Sequence, residues 1–238
     1  MKKQLTIIMP AHNEAQGIFK TLLEIDEFTP RLWDLTIFVS EDGSSDNTRQ
    51  EVMNASKNAK NCSIQLSSES ERLGYSRAVL RGIRDCKTEW IGFMDADGQY
   101  DPKDIQKLLD GLDKNKPVSG YRNPRNDPKL RIIYSRLFNL AFRLLGGPKL
   151  KDPSSPFIFC STNAISNLSN ISPLLSYGFW WEFQMRLAAN GVKIKEIPVT
   201  HRKRASGTTQ VYKLSKLPGL ILTHLVGLAK LKRQLKKI

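Results

Sequence analysis

Cysteine is scarce in this chain: Cys62, Cys86 and Cys160 are the three among 238 residues, far apart, with no C-x-x-C pair and no matched histidines. That excludes a disulfide framework and a cysteine-type zinc site, and isolated thiols fit a reducing compartment. Long apolar runs are missing as well. The best candidate, Leu217–Leu231, is fifteen residues long and is interrupted by Pro218, His224 and Lys230. A spanning helix needs about 20 predominantly apolar residues, so none is expected. The opening "MKKQLTIIMPAHNE" has only a short apolar run before Pro10 and His12, which reads as a first strand and not as a signal peptide. Neither G-x-G-x-x-G nor G-x-x-x-x-G-K-[ST] occurs, so a dinucleotide fingerprint and a P-loop are both excluded. Acid is absent from one region: residues 201–238 hold ten Lys/Arg and no Asp or Glu.

The net charge is +14 at pH 7, and this C-terminal segment carries much of the excess. Such a segment suits an anionic partner: nucleic acid, a membrane surface or a phosphorylated substrate. Aromatics are not interleaved with the Lys/Arg runs as stacking platforms for bases would require, so nucleic acid is not the expected partner. From residue 213 onward leucine and isoleucine recur every three or four residues, which predicts an amphipathic helix over 213–238. Its stripe suits a membrane interface, or packing against the rest of the chain.

Residues 1–212 read as one domain. Short β-branched runs, "QLTIIM", "LTIFVS", "CSIQLS", "EWIGFM" and "KPVSGYR", alternate with helical spacings such as "EAQGIFKTLLEIDEF" and "DPKDIQKLLDGLDKN". Strand–helix alternation of this pitch predicts an α/β fold, a mostly parallel central sheet flanked by helices. Ligands of such sheets bind at the carboxyl ends of the strands. The loops "PAHNE", "EDGSSDNT" and "FMDADGQ" all fall there.

In an extended segment alternate residues share one side, so Asp95, Asp97 and Gln99 could offer three oxygens to one hard cation. An EF-hand is excluded, because its glycine belongs at the sixth loop position and its glutamate at the twelfth; here Gly98 is fourth and Gln106 twelfth. A solvated turn that caps the next helix through Asp101 remains the alternative. Acidic and amide side chains in the other loops suit the hydroxyls and base N–H groups of a nucleotide. Three such loops at successive strand ends point to one pocket.

The order "IIMPAHNE", "EDGSSDNT", "LGYSRAVLRGI", "FMDADGQYDP" and "VSGYR" resembles the family 2 glycosyltransferases of the GT-A fold. The later "RIIYSRLFN", "DPSSPF", "WWEFQMRLAANGVKIKEIPV" and "RASGTT" are similar to the dolichol-phosphate mannosyltransferase-like branch. The resemblance implies a metal-dependent, inverting transfer of sugar from a GDP- or UDP-linked donor to a polyprenyl phosphate. It implies that Pro10, Ala11, Glu14 and Asp42 hold the nucleoside. Asp95, Asp97 and Gln99 would hold Mg2+ or Mn2+, with Asp95 also serving the donor diphosphate. Arg122 and Arg131, with Ser135 beside the latter, would contact the acceptor phosphate, and Arg204 and Gly207 would close over the donor. The place implied is the cytoplasmic face of a membrane, held peripherally.

Five positions depart from the family pattern: His12 for tyrosine, Glu41 for aspartate, Pro156 for glycine, and Thr209-Gln210 for Ser-Lys. A phosphate acceptor is already anionic and needs orientation by arginines, whereas a hydroxyl acceptor needs a general base. Asp152 and Glu182 are the bases such a hydroxyl acceptor would use. A nucleotide-sugar-binding protein without activity is the remaining alternative.

Overall fold

The run "LTIIM" is buried from Leu5 to Met9, because it becomes the covered middle of a sheet. The computed structural model describes residues 2–126, 129–175, 178–203 and 217–236, without the side chains of 129–131, 134 and 217–222. The first half holds β1 (Lys3–Ala11), α1 (Ile18–Glu27), β2 (Trp33–Glu41), α2 (Thr48–Asn58) and β3 (Ser63–Ser68). It continues through α3 (Tyr75–Asp85), β4 (Trp90–Phe93), α4 (Asp104–Asp110) and β5 (Val118–Arg122). Then come α5 (Lys129–Leu144), β6 (Ile158–Ser161), a 3-10 helix at Thr162–Leu168, α6 (Phe179–Ala189), β7 (Lys195–Val199) and α7 (Leu217–Leu235).

The sheet has seven strands in the order β3-β2-β1-β4-β6-β5-β7. β6 runs antiparallel to β4 and β5, and the other pairings are parallel. The chain winds outward from β1 to β3, then returns to place β4 on the other side of β1. The order therefore reverses between β1 and β4, and a crevice opens outside their carboxyl ends. One apolar layer packs α1, α2 and α4 on the sheet through Leu22, Ile25, Val52 and Leu108. The other packs α3 and α6 through Val79, Ile83, Phe179 and Phe183. Truncating one such leucine or isoleucine to alanine costs about 2–5 kcal/mol.

Gly92 on β4 has a specific reason to lack a side chain. A Cβ there would lie 2.4 Å from Cε1 of Phe159 on the paired β6. Substitution would displace that ring, at a cost of about 1–3 kcal/mol for an overpacked core.

Two elements differ from the sequence expectation. α1 starts at Ile18 and not at Glu14; the N–H groups of Glu14 and Ala15 donate instead across to Thr48 and Asp46. α4 stops at Asp110, where Gly111 ends it and an Asp113–Lys116 bridge turns the chain into β5. The helix expected over 213–238 is described as α7 from Leu217 to Leu235, and 204–216 lie outside the described residues. Its Leu228 and Leu231 are buried against Phe138, Phe142, Trp181 and Met185. Part of the leucine stripe thus packs on α5 and α6. Among the described residues no helix is long and apolar enough to cross a membrane.

Candidate active site

β1 ends with Pro10 and Ala11 buried in the sheet, and β2 ends beside it. The two following loops are joined to each other atom by atom. The Asp42 N–H donates to the Ala11 carbonyl at 2.9 Å, and Nδ1 of His12 lies 2.7 Å from the Asp42 carbonyl. A carbonyl only accepts, so that nitrogen carries the imidazole proton. Asn13 adopts a left-handed φ of 56°; its N–H donates to Ser44 Oγ at 3.0 Å and its Oδ1 accepts from the Ser45 N–H at 2.9 Å. The Glu14 N–H donates to Thr48 Oγ1 at 2.9 Å. This network aligns the first two acidic loops along one wall of the crevice.

Asp42 lies deeper than a surface ligand. Its carboxylate accepts from the Leu73 N–H at 2.7 Å and the Gly74 N–H at 2.9 Å, where positive partial charge at the start of α3 favours an anion. Glu41 is buried, pairs with Arg49 Nε at 2.6 Å and accepts from the Ser44 N–H. Arg81 then closes the floor, donating to the Glu41 carbonyl at 2.6 Å and to Ser40 Oγ at 3.1 Å.

The third loop follows β4. Asp95 is half-buried, and Tyr75 Oη donates to its Oδ1 at 2.8 Å. Burial pushes the Asp95 carboxyl up to about 7, the nearby Asp97 charge adds to the rise, and Glu14 contributes further. Tyr75 and Arg122 act in the opposite direction. Four residues expected at the site, Glu14, Asp95, Asp97 and Arg122, therefore share one electrostatic neighbourhood. Asp97 Oδ1 accepts from the Gln99 N–H at 3.1 Å, with Gly98 at φ +70 making the turn between them.

Gln99 is tied to the chain that returns after β7. Its Nε2 donates to the Arg202 carbonyl at 3.2 Å, and its own carbonyl accepts from the Arg202 N–H at 2.7 Å. Arg202 in turn pairs with Glu24 at 2.6 Å and Asp101 at 2.8 Å. Arg204 and Gly207, the expected closing residues, lie outside the described residues.

On the other flank Arg122 grips Asp152, Nε to Oδ2 at 2.6 Å and Nη2 to Oδ1 at 2.9 Å, and reaches Ser154 Oγ at 2.6 Å. Burial alone would raise the Asp152 carboxyl, but the guanidiniums of Arg122 and then Arg125 hold it well below the usual carboxylate range. Arg125 stands 3.9 Å from Asp152 and donates to Ser135 Oγ at 2.9 Å. Arg131 is in the first turn of α5, and its side chain lies outside what is described. Glu182 is fully buried, binds Arg186 at 2.7 Å, and accepts from the Leu174 and Leu175 N–H groups.

Three site residues went unnoticed in the sequence. Tyr75 and Trp180 sit in apolar helical patterns and look like core there. Arg125 had a signal, three residues beyond Arg122 in "RNPR", on the same short connection into α5.

The donor set suits a hard divalent ion. Among the described residues no group of three or more His, Cys, Asp or Glu could hold a metal alone. Asp95 and Asp97 supply two carboxylates, which matches Mg2+-type sites completed by substrate phosphates and water. The raised Asp95 carboxyl marks negative charge that a cation would offset.

The fold is of the GT-A-like class. Glucosyl-3-phosphoglycerate synthase from Mycobacterium tuberculosis, solved with Mn2+, UDP and phosphoglyceric acid, superposes with a TM-score of 0.70 at 16% identity, covering 97% of this chain and 78% of that one. The sequence model described as Glycosyl transferase family 2 matches residues 6–169, and the chain belongs to that family.

Among curated proteins, the dolichol-phosphate mannosyltransferase of Pyrococcus furiosus is 25% identical over 217 residues, which covers 87% of this chain and 59% of that protein. The polyprenol monophosphomannose synthase of Mycolicibacterium smegmatis is 23% identical over 224 residues, 86% of this chain and 80% of that protein. The chain spans about 59% of the length of the first of these relatives.

Proposed function

We propose that this protein moves a sugar from a nucleoside-diphosphate donor, GDP- or UDP-linked, to a polyprenyl phosphate with inversion at the anomeric carbon. The carrying observation is the state of the two carboxylates that a hydroxyl acceptor would need as bases. Asp152 is forked by Arg122 and Glu182 is buried against Arg186. Neither is placed to take a proton. An acceptor phosphate needs no base, and the cations Arg122 and Arg125 beside the Asp95 crevice suit its orientation. The distant likeness to lipid-phosphate sugar transferases supports the same reading.

In this scheme Pro10, Ala11, Glu14 and the loop organised by Asp42 enclose the nucleoside. Asp95 and Asp97, with the Gln99 amide oxygen beside them, would hold Mg2+ or Mn2+ for the donor diphosphate. The ion, when bound, offsets charge that develops on the leaving diphosphate. An acceptor phosphate oxygen forms the new bond to the anomeric carbon from the opposite face, and the nucleoside diphosphate leaves with the electron pair of the broken C–O bond. Arg122, Arg125 and Arg131 orient the attacking phosphate.

The lipid would be met at the cytoplasmic face of a membrane by peripheral contact, and α5 is better placed for this than α7. Ile133, Leu137, Leu140 and Leu144 are 51%, 60%, 56% and 75% exposed. At 3.6 residues per turn they fall within an arc of about 60°, opposite the buried Phe138 and Phe142. No Asp or Glu occurs from residue 129 to 151, and basic residues near an anionic leaflet contribute about 1 kcal/mol each.

The test is a screen of GDP- and UDP-sugars with Mn2+ or Mg2+, followed by transfer to a short polyprenyl phosphate. Transfer to a hydroxyl acceptor and none to the lipid phosphate would overturn the proposal.

A further inference from the structure

Asp95 is served by a chain of two aromatic residues from other elements. Trp180 Nε1 lies 2.8 Å from Tyr75 Oη, and Tyr75 Oη lies 2.8 Å from Asp95 Oδ1. Trp180 comes from α6, Tyr75 from the first residue of α3, and Asp95 follows β4. An indole N–H is a donor only, so the Tyr75 oxygen must accept from Trp180. The phenol proton is then directed at the Asp95 carboxylate.

Trp180 supports the same point a second way. Its ring packs edge-on against Phe93 at 5.2 Å and against Tyr75 at 6.4 Å between centroids. Phe93 is the last residue of β4 and stands two positions before Asp95. The indole thus fixes both the strand end that carries Asp95 and the phenol that binds it.

We infer that Tyr75 is a positioning residue for Asp95 as a cation ligand, and that Trp180 sets the direction of the Tyr75 hydrogen bond. One carboxylate oxygen, Oδ1, is held by the phenol, which leaves Oδ2 to meet the cation. The inference rests on Asp95 and Asp97 being the cation ligands of the proposed function. Partners that orient a metal ligand commonly change metal affinity by about 10–100-fold when removed.

The experiment measures Mn2+ affinity of the whole chain from the paramagnetic resonance signal of free Mn2+, with Mn2+ as the sole ligand. Wild type is compared with Asp97→Ala, Tyr75→Phe, Trp180→Phe and the double Tyr75→Phe/Trp180→Phe variant, each checked by thermal melting. Tyr75→Phe keeps the ring and removes only the hydroxyl, whereas Trp180→Phe removes the indole N–H together with part of the ring that packs on Phe93. Tyr75→Phe should weaken Mn2+ by about tenfold and Trp180→Phe by less. The double variant should lose less than the sum of the two single losses, because Trp180 acts in part through the phenol; a purely additive loss would remove Trp180 from the inference. If wild type binds no Mn2+, or Asp97→Ala binds it as tightly as wild type, the metal assignment falls and the inference falls with it. If Asp97→Ala loses Mn2+ while Tyr75→Phe and Trp180→Phe keep wild-type affinity, the inference alone is overturned.

Discussion

Arg122 holds Asp152 by both carboxylate oxygens, at 2.6 and 2.9 Å, across a separation of thirty residues. Both side chains are almost fully buried, at 7% and 3% exposure. Removing one partner of a buried pair leaves a charge without compensation and costs about 3–5 kcal/mol. Asp152→Asn keeps the shape and removes the charge, leaving Arg122 and Arg125 facing each other. Its melting temperature should fall by several degrees, and the KM for a lipid phosphate should rise more than the KM for the donor. An unchanged melting temperature would contradict the reading of this pair as the anchor of the acceptor flank.

Asp95 predicts a pH dependence whose sign is opposite to the usual carboxylate. Its folded value is raised from 3.8 to about 7 by burial and then by Asp97. The associated stability is fully present below about pH 4 and is lost as pH rises through about 7. Metal-free protein should therefore melt lower at pH 8 than at pH 6 through this group, and Asp95→Asn should lack that slope. In wild type, Mn2+ should recover the loss, and its affinity should fall about tenfold per pH unit below pH 7. Melting curves in chelator and in Mn2+ decide it.

Arg131 belongs to the acceptor side in the proposed scheme. Arg131→Ala should raise the KM for polyprenyl phosphate about tenfold or more and leave donor affinity within twofold. Equal loss of both, read by initial rates and by donor titration, would undo the separation of roles.

The exposed stripe of α5 makes a further prediction. Leu137→Glu with Leu140→Glu should abolish sedimentation with vesicles rich in phosphatidylglycerol, while the fold melts as before, because neither side chain is buried. Vesicle binding that survives this change but is lost with a charge at the exposed Val226 would move the membrane contact to α7.

Much of this architecture was legible in the sequence for a simple reason. Buried parallel strands must be continuous apolar runs, and their ends must carry the polar loops, so "QLTIIM", "LTIFVS" and "EWIGFM" located both sheet and crevice. Helix limits were less legible. The segment before α1 is tied to Asp46 and Thr48, 31 and 34 positions away, and α4 ends at a local turn. The paired leucines of α7 carried no mark of whether a membrane or α5 and α6 would cover them.

By itself the sequence determined the fold class, the three acidic loops at the strand ends, and the family, because periodicity and loop chemistry are local properties of the chain. Only the tertiary structure decided which of these groups work together. It brought Glu14, Asp95, Asp97 and Arg122 into one field, committed Asp42 to the amides before α3, and placed Tyr75 and Trp180 behind Asp95. Those relations depend on distances between segments up to a hundred residues apart, and an aromatic residue that orients a carboxylate has the same local pattern as one that fills a core.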